Sequence, residues 1–327
     1  AKRNKSDRLA QAKKQYGKNL GYTGATQGGL GPEMWGITLQ QLKDVISDPD
    51  FDQSIKAKYM GTRVSGGMTM RQVVHKILEK RTLGKGVGYA LLVNKAKPLR
   101  AKVMVSHSWE EDYEHFVSAL YESGEEGPFW ICATAIYQCN DMPDVTVDKQ
   151  LGPHPSTGPF ATVLKQADKM VCVMTPESDI YTRLWCVYEM YVAVSLGVSV
   201  VMTYFSESKG WGGSGQIYSN SAMETANGDI KTIDAECSWE KDTEMIQAEV
   251  KELPRGFDLL NDVIYWIKVT SLVDNLLVGD MENIIDTPFG ISSASCAGAR
   301  VNVAIAKVLQ TWSKASSGRS IFEAPEK

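Results

Sequence analysis

Four short apolar runs set the strongest limit on what this chain can fold into. They are Lys102–Trp109, Phe129–Ile136, Lys169–Thr175 and Val198–Phe205. Helical patterning lies between them: Glu111–Leu120 places Tyr113, Phe116, Val117 and Leu120 on one face, Phe160–Ala167 reads as a second helix, and the segment from Tyr181 onward as a third. Strands and helices alternating at this spacing predict an α/β fold, with a parallel sheet covered on both faces and ligands bound beyond the carboxyl ends of the strands. Ile230–Ile233 is the candidate for a fifth, edge strand.

The flanks have a different texture. Residues 1–20 carry seven Lys or Arg against a lone Asp7, and Gly21–Gly31 is glycine-rich, so residues 1–35 read as a basic arm with a flexible linker. Either the arm is a solvated tail or it docks on an acidic partner. Residues 36–99 read as a helical N-terminal extension, because Thr38 with Gln41 and Thr69 with Gln72 have the form of capping boxes. After the second box, Met70, Val73, Val74, Ile77 and Leu78 make one apolar face that needs a surface to pack on. Gly84–Gly88 follows a helix rather than a strand and lacks the lysine-hydroxyl pair of a phosphate loop, so it reads as a turn. Beyond the fourth strand, Ser206–Gly228 is a polar excursion, Trp239–Leu253 and Leu259–Leu277 are helical, and residues 278–327 hold a C-terminal helix over Ser292–Trp312 and a tail.

Charge and cysteine usage exclude several classes. A net charge of −4 gives no overall positive field for nucleic acid. The six cysteines form no CxxC pair and several sit in apolar runs, which argues against a metal site or a disulfide framework and for a reducing, intracellular compartment. That compartment is expected to be the cytoplasm, or an organelle where a targeting segment has been removed. The longest apolar passage, Tyr191–Phe205, is too short for a membrane span and is broken by Gly197. His75, His107, His115 and His154 have no metal-ligand spacing, and His107 takes no role in this reading.

The most specific stretch is Tyr181-Thr-Arg-Leu-Trp-Cys-Val-Tyr-Glu-Met-Tyr-Val-Ala193. On a helix, Trp185 and Glu189 lie one turn apart on the same face, so an indole and a carboxylate can line one cleft. Together with Val-Ser-His-Ser-Trp109 and Gly158–Pro176, the segment Trp185-Cys-Val-Tyr-Glu189 resembles the TIR (Toll/interleukin-1 receptor) domain family, matching its Trp-Cys-x-x-Glu and Trp-x-x-x-Glu patterns. The resemblance implies a flavodoxin-like parallel sheet over about residues 100–277. It also implies self-association through the domain, or association with other proteins, and, in catalytic members, hydrolysis of NAD at the nicotinamide–ribose bond. NAD is then a substrate, and no cofactor is implied. Carried onto this chain, the catalytic carboxylate is Glu189, Trp185 forms part of the cleft wall, and Ser106, Ser108 and Trp109 border the nucleotide. Arg183 stands where plant-type members usually have a serine, and it either binds a pyrophosphate or blocks the mouth. The alternative is a non-enzymatic TIR-like scaffold or accessory subunit of a larger assembly, in which Glu189 is a structural carboxylate, Cys186 is a small buried hydrophobe and the extensions make the contacts. A nucleoside-processing transferase of similar fold ranks last, since no motif can be quoted for it.

Overall fold

The computed structural model describes residues 22–51, 67–205, 231–253 and 255–278. The basic arm over residues 1–20, the polar excursion over 206–228 and the helix expected over Ser292–Trp312 lie outside them. Two compact units divide the chain, Ala1–Phe205 with Ile230–Ile264 and Ser206–Asp229 with Tyr265–Lys327.

In chain order the first unit opens with helix α1 (Leu39–Ile46). Next, Met70–Val73, a π-helical stretch Val74–Leu78 and Glu79–Thr82 run on as helix α2. Both start at the expected threonines: the Thr38 hydroxyl accepts from Gln41 N and the Thr69 hydroxyl from Gln72 N, while each glutamine side chain accepts from its threonine's own amide. Helix α3 (Tyr89–Val93) leads into β1 (Val103–Ser106) and α4 (Tyr113–Glu122). Strand β2 (Phe129–Ile131) is followed by the short helices α5 (Cys132–Ala135), α6 (Val147–Leu151) and α7 (Pro159–Leu164). Then come β3 (Lys169–Met174), α8 (Leu184–Ser195), β4 (Ser199–Tyr204), α9 (Glu240–Lys251) and α10 (Phe257–Val278), whose distal part belongs to the second unit.

The four strands form one wholly parallel sheet in the order β2-β1-β3-β4. The chain leaves β1 in one direction across the sheet and returns on its other side at β3, so the point where strand order reverses lies between these two strands. Alternation divides the strand side chains between the faces. Val103, Val105, Phe129, Ile131, Val171 and Val173 join one apolar cluster with Phe116 and Leu120 of α4 and with Ile37, Leu42, Met70, Val73 and Ile77 of the N-terminal segment. Met104, Trp130, Met170 and Cys172 point the other way, where Trp130 meets Phe160 of α7 edge-on at 4.9 Å between centroids.

The described residues of the 36–99 segment thus share a core with the sheet. Ile37 pairs with Phe129 through reciprocal backbone bonds of 2.9 and 2.8 Å, extending the hydrogen bonding beyond β2. The glycine-rich stretch also differs from the flexible linker expected of it. Ala25 N donates to Lys149 O at 2.7 Å, the Tyr22 hydroxyl to Gln150 O at 2.7 Å, and the buried Gln27 side chain bonds Ala135 O, Gln150 and Gly88 N. Small residues serve close packing here: a Cβ on Gly88 would stand 2.3 Å from Ala135 O.

Two strands expected from sequence are altered. Phe129–Ile136 is a strand only as far as Ile131, where its ladder with β1 stops; Cys-Ala-Thr-Ala, rich in small helix formers, then turns as α5. At Ile230–Ile233, the described part is a 3-10 turn over Thr232–Asp234, because Thr232 gives its amide and its hydroxyl to Asn261 on α10 instead of to a neighbouring strand.

Candidate functional site

The reversal between β1 and β3 falls on Ser106, the last residue of β1, which is in register with Cys172. Helix α8 crosses above it. Nearly every residue of that helix is buried, as its mostly apolar sequence demands, and Glu189 is its one carboxylate, only 4% exposed. Ser106 Oγ donates to Glu189 Oε2 at 2.6 Å. Burial raises Glu189 from 4.5 to about 7, opposed by the Ser106 hydroxyl and by the charge of His107. The neighbouring thiols of Cys172 and Cys186 are driven well above the ordinary range by burial, so they face Glu189 as neutral groups. The arrangement is a single buried carboxylate poised near neutrality, held by one hydroxyl at the position where parallel α/β sheets bind ligands.

Ser106 and Glu189 are the residues from the sequence reading that meet. Trp185 is half-buried one turn before Glu189; its indole stacks on Phe160 at 4.8 Å and donates from Nε1 to Asp242 of α9 at 3.0 Å. Helix α9 therefore fixes one wall of this region, with further bonds from the Tyr188 and Ser156 hydroxyls to Glu249. Arg183, half-buried just before α8, turns its guanidinium to Ser238 Oγ at 2.8 Å. Ser108 accepts Glu110 N at 3.3 Å, a local turn contact. The Trp109 ring lies under the Arg71 guanidinium at 5.5 Å, against the core cluster on the α4 face.

A second cluster lies beside the first and includes the histidine to which sequence reasoning gave no role. His107 follows Ser106 directly, its side chain 1% exposed. Its Nδ1 faces both Ser108 O at 3.1 Å and Glu111 Oε1 at 2.9 Å, and its Nε2 faces Cys132 Sγ at 3.2 Å. Cys132 is half-buried and opens α5. Burial alone would lower the imidazole, but the Cys132 sulfur and the Glu111 carboxylate at its two nitrogens outweigh that and hold it well above its ordinary value. Burial raises Glu111 to about 7 against the pull of His107, and its Oε2 has no hydrogen-bond partner among the described residues. The loop from His107 to Asp112 is pinned by the first turn of α2, whose otherwise unpaired amides donate to its carbonyls: Met70 N to Glu111 O and Arg71 N to Trp109 O, both at 2.9 Å. The i, i+4 spacing of His107 and Glu111 was visible in sequence, but nothing there linked them to Cys132.

Among the described residues, no group of His, Cys, Asp and Glu could hold a metal ion, and no helix is long and apolar enough to cross a membrane. Comparison with protein-family models, with curated proteins and with solved structures finds no match to this chain.

Proposed function

We propose that this TIR-like chain hydrolyses NAD at the nicotinamide–ribose bond, with Glu189 as the reacting carboxylate and self-association as the condition that completes the site. The Ser106–Glu189 pair at the β1/β3 reversal carries this reading, because it puts one buried, near-neutral carboxylate where a nucleotide enters a parallel sheet. As the glycosidic bond breaks, its electron pair leaves with nicotinamide and positive charge builds on the ribose. An anion in a low-dielectric site stabilises that charge strongly, and water then completes the hydrolysis. The nicotinamide ring of NAD is itself cationic, so its arrival beside Glu189 favours the ionised carboxylate.

A second reading is favoured by one observation. With Glu189 only 4% exposed and bonded to Ser106, the carboxylate is already satisfied as a structural group would be, which suits a non-enzymatic scaffold. Nicotinamide release by the purified chain over a range of protein concentrations separates the two. The enzyme reading expects release that rises faster than protein concentration and is lost in Glu189→Gln. Folded protein that releases no nicotinamide at any concentration leaves the scaffold.

A further inference from the structure

We infer that Cys132 is the nucleophile of a thiol-dependent acyl-transfer site, with His107 as its base and Glu111 as the positioning residue that holds the imidazole. This site is separate from the Ser106–Glu189 pair and takes an activated acyl donor, an ester or a thioester.

The hydrogen bonds fix the polarity of the chain of groups. A carbonyl oxygen only accepts, so the contact with Ser108 O requires that His107 Nδ1 carry a proton, which the Glu111 carboxylate also accepts. With Nδ1 committed to these acceptors, Nε2 is the nitrogen that faces Cys132 Sγ at 3.2 Å and takes the thiol proton, and the raised value of the imidazole favours the imidazolium that results. A nucleophile within reach of a base that a third group orients is the arrangement nucleophilic catalysis needs.

Burial gives the cluster a direction. His107 and Glu111 have side chains 1% and 0% exposed, and the Phe116 ring lies 5.4 Å from the imidazole. Of the three residues, Cys132 alone is only half-buried. Among the described cysteines, Cys139, Cys172 and Cys186 are buried, and Cys237 is half-buried but donates its amide to Thr243 and faces no imidazole. The end of the β2 ladder at Ile131 explains the placement: a continued strand would have kept Cys132 in the sheet, whereas the turn into α5 releases it beside the end of β1.

In the reaction, the thiol proton passes to Nε2 while Sγ attacks the carbonyl carbon and forms the C–S bond. The bond from that carbon to the leaving oxygen or sulfur breaks, its electron pair goes with the leaving group, and His107 returns the proton to it. Water then attacks the thioester and gives a proton to Nε2; the C–S bond breaks with its pair on sulfur, and the thiol is restored. The net change is hydrolysis, with no oxidant or reductant.

The full chain is treated at pH 6.5 with iodoacetamide, and separately with p-nitrophenyl acetate, and the peptide holding Cys132 is followed by mass. An activated thiol is alkylated at least about tenfold faster in the native chain than in the urea-unfolded chain. A half-buried inert thiol shows the reverse, and that result overturns the proposal. The acetate ester is expected to give a burst of nitrophenolate with acetyl on Cys132, absent in Cys132→Ala; no acetylated Cys132 peptide also overturns it. His107→Gly is expected to lose the burst and to recover part of it with added imidazole. Glu111→Asp, which keeps the charge, should retain more of the burst rate than Glu111→Gln, which keeps the shape; the opposite order gives Glu111 a packing role only and removes it from the proposal. Should His107→Gly fail to fold, the native-against-unfolded alkylation ratio still decides. Nicotinamide release reads Glu189 separately, so either reading can fail alone.

Discussion

The ionised Glu189 carboxylate destabilises the fold at neutral and alkaline pH. Its folded value of about 7 lies above the ordinary 4.5, so between these limits the folded chain holds the proton more tightly than the unfolded chain does. The stability this group contributes is fully present below 4.5 and lost as the pH rises through about 7. At about 1.4 kcal/mol per pH unit, the loss is on the order of 3 kcal/mol. Glu189→Gln is therefore expected to raise the urea unfolding free energy at pH 8 by about 1–3 kcal/mol and to change it little at pH 4.5. A fall at pH 8 would mean that the anion is bound by structure rather than tolerated for chemistry. If Glu189 is the reacting carboxylate as proposed, the same titration sets the sign for activity: the anion would be the working form, and kcat/KM for NAD should rise with pH around a midpoint of about 7. Ser106→Ala removes the hydroxyl that opposes the raised value, so that midpoint should move upward and kcat/KM at pH 7 should fall; an unmoved midpoint would assign the profile to another group. Glu189 was singled out in the sequence by the Trp-Cys-x-x-Glu pattern, but helical spacing did not show that Glu189 turns to Ser106 while Trp185 turns to Phe160 and Asp242. The Cys132–His107–Glu111 cluster was not legible there, since its members come from two strand ends whose adjacency only the β1–β2 register reveals.

At the scale of elements, local chemistry was the readable part. Both capping boxes announce their helices through residues three positions apart, and the first, third and fourth strands stand where their apolar runs lie. The errors came at the ends of elements, where the ladder partner of β2 and the choice of capping residue decide the boundary. The helix expected from Glu111 begins at Tyr113, since Asp112 is its cap and accepts Glu114 N at 2.9 Å and His115 N at 3.1 Å. Two residues of difference move Glu111 from a helix into the loop beside His107. Asp112→Ala should cost about 1–2 kcal/mol of stability, with Asp112→Asn retaining most of it, since the amide oxygen still accepts. Denaturant midpoints at an unchanged m-value test this, and equal losses in the two variants would assign the effect to the charge instead of the cap.

At the scale of the whole molecule, the apolar face of α2 asked for a surface, but no local pattern said which one. The answer is the sheet. Trp35, Ile37, Leu42, Met68, Met70, Val73, Val74, Ile77 and Leu78 are each at most 2% exposed, and most of them share the cluster that holds Phe116, Phe129 and Val171. Fully burying a large apolar side chain is worth about 1.5–3 kcal/mol, so the gross burial of this group is at least comparable with the net 5–15 kcal/mol that typically separates a folded domain from its unfolded chain. The N-terminal segment also satisfies backbone groups of the site: Ile37 completes Phe129, and the first turn of α2 holds the His107–Asp112 loop by Glu111 O and Trp109 O. The motif-bearing region therefore cannot be expected to fold by itself. A chain beginning at residue 100 is expected to show no cooperative urea transition for the sheet and to bind a dye for exposed apolar surface, whereas a chain beginning at residue 22 should keep a cooperative transition of the unit that holds the sheet. Cooperative unfolding of the shorter chain would separate the sheet from its N-terminal helices and make them an accessory to the site instead of one of its walls.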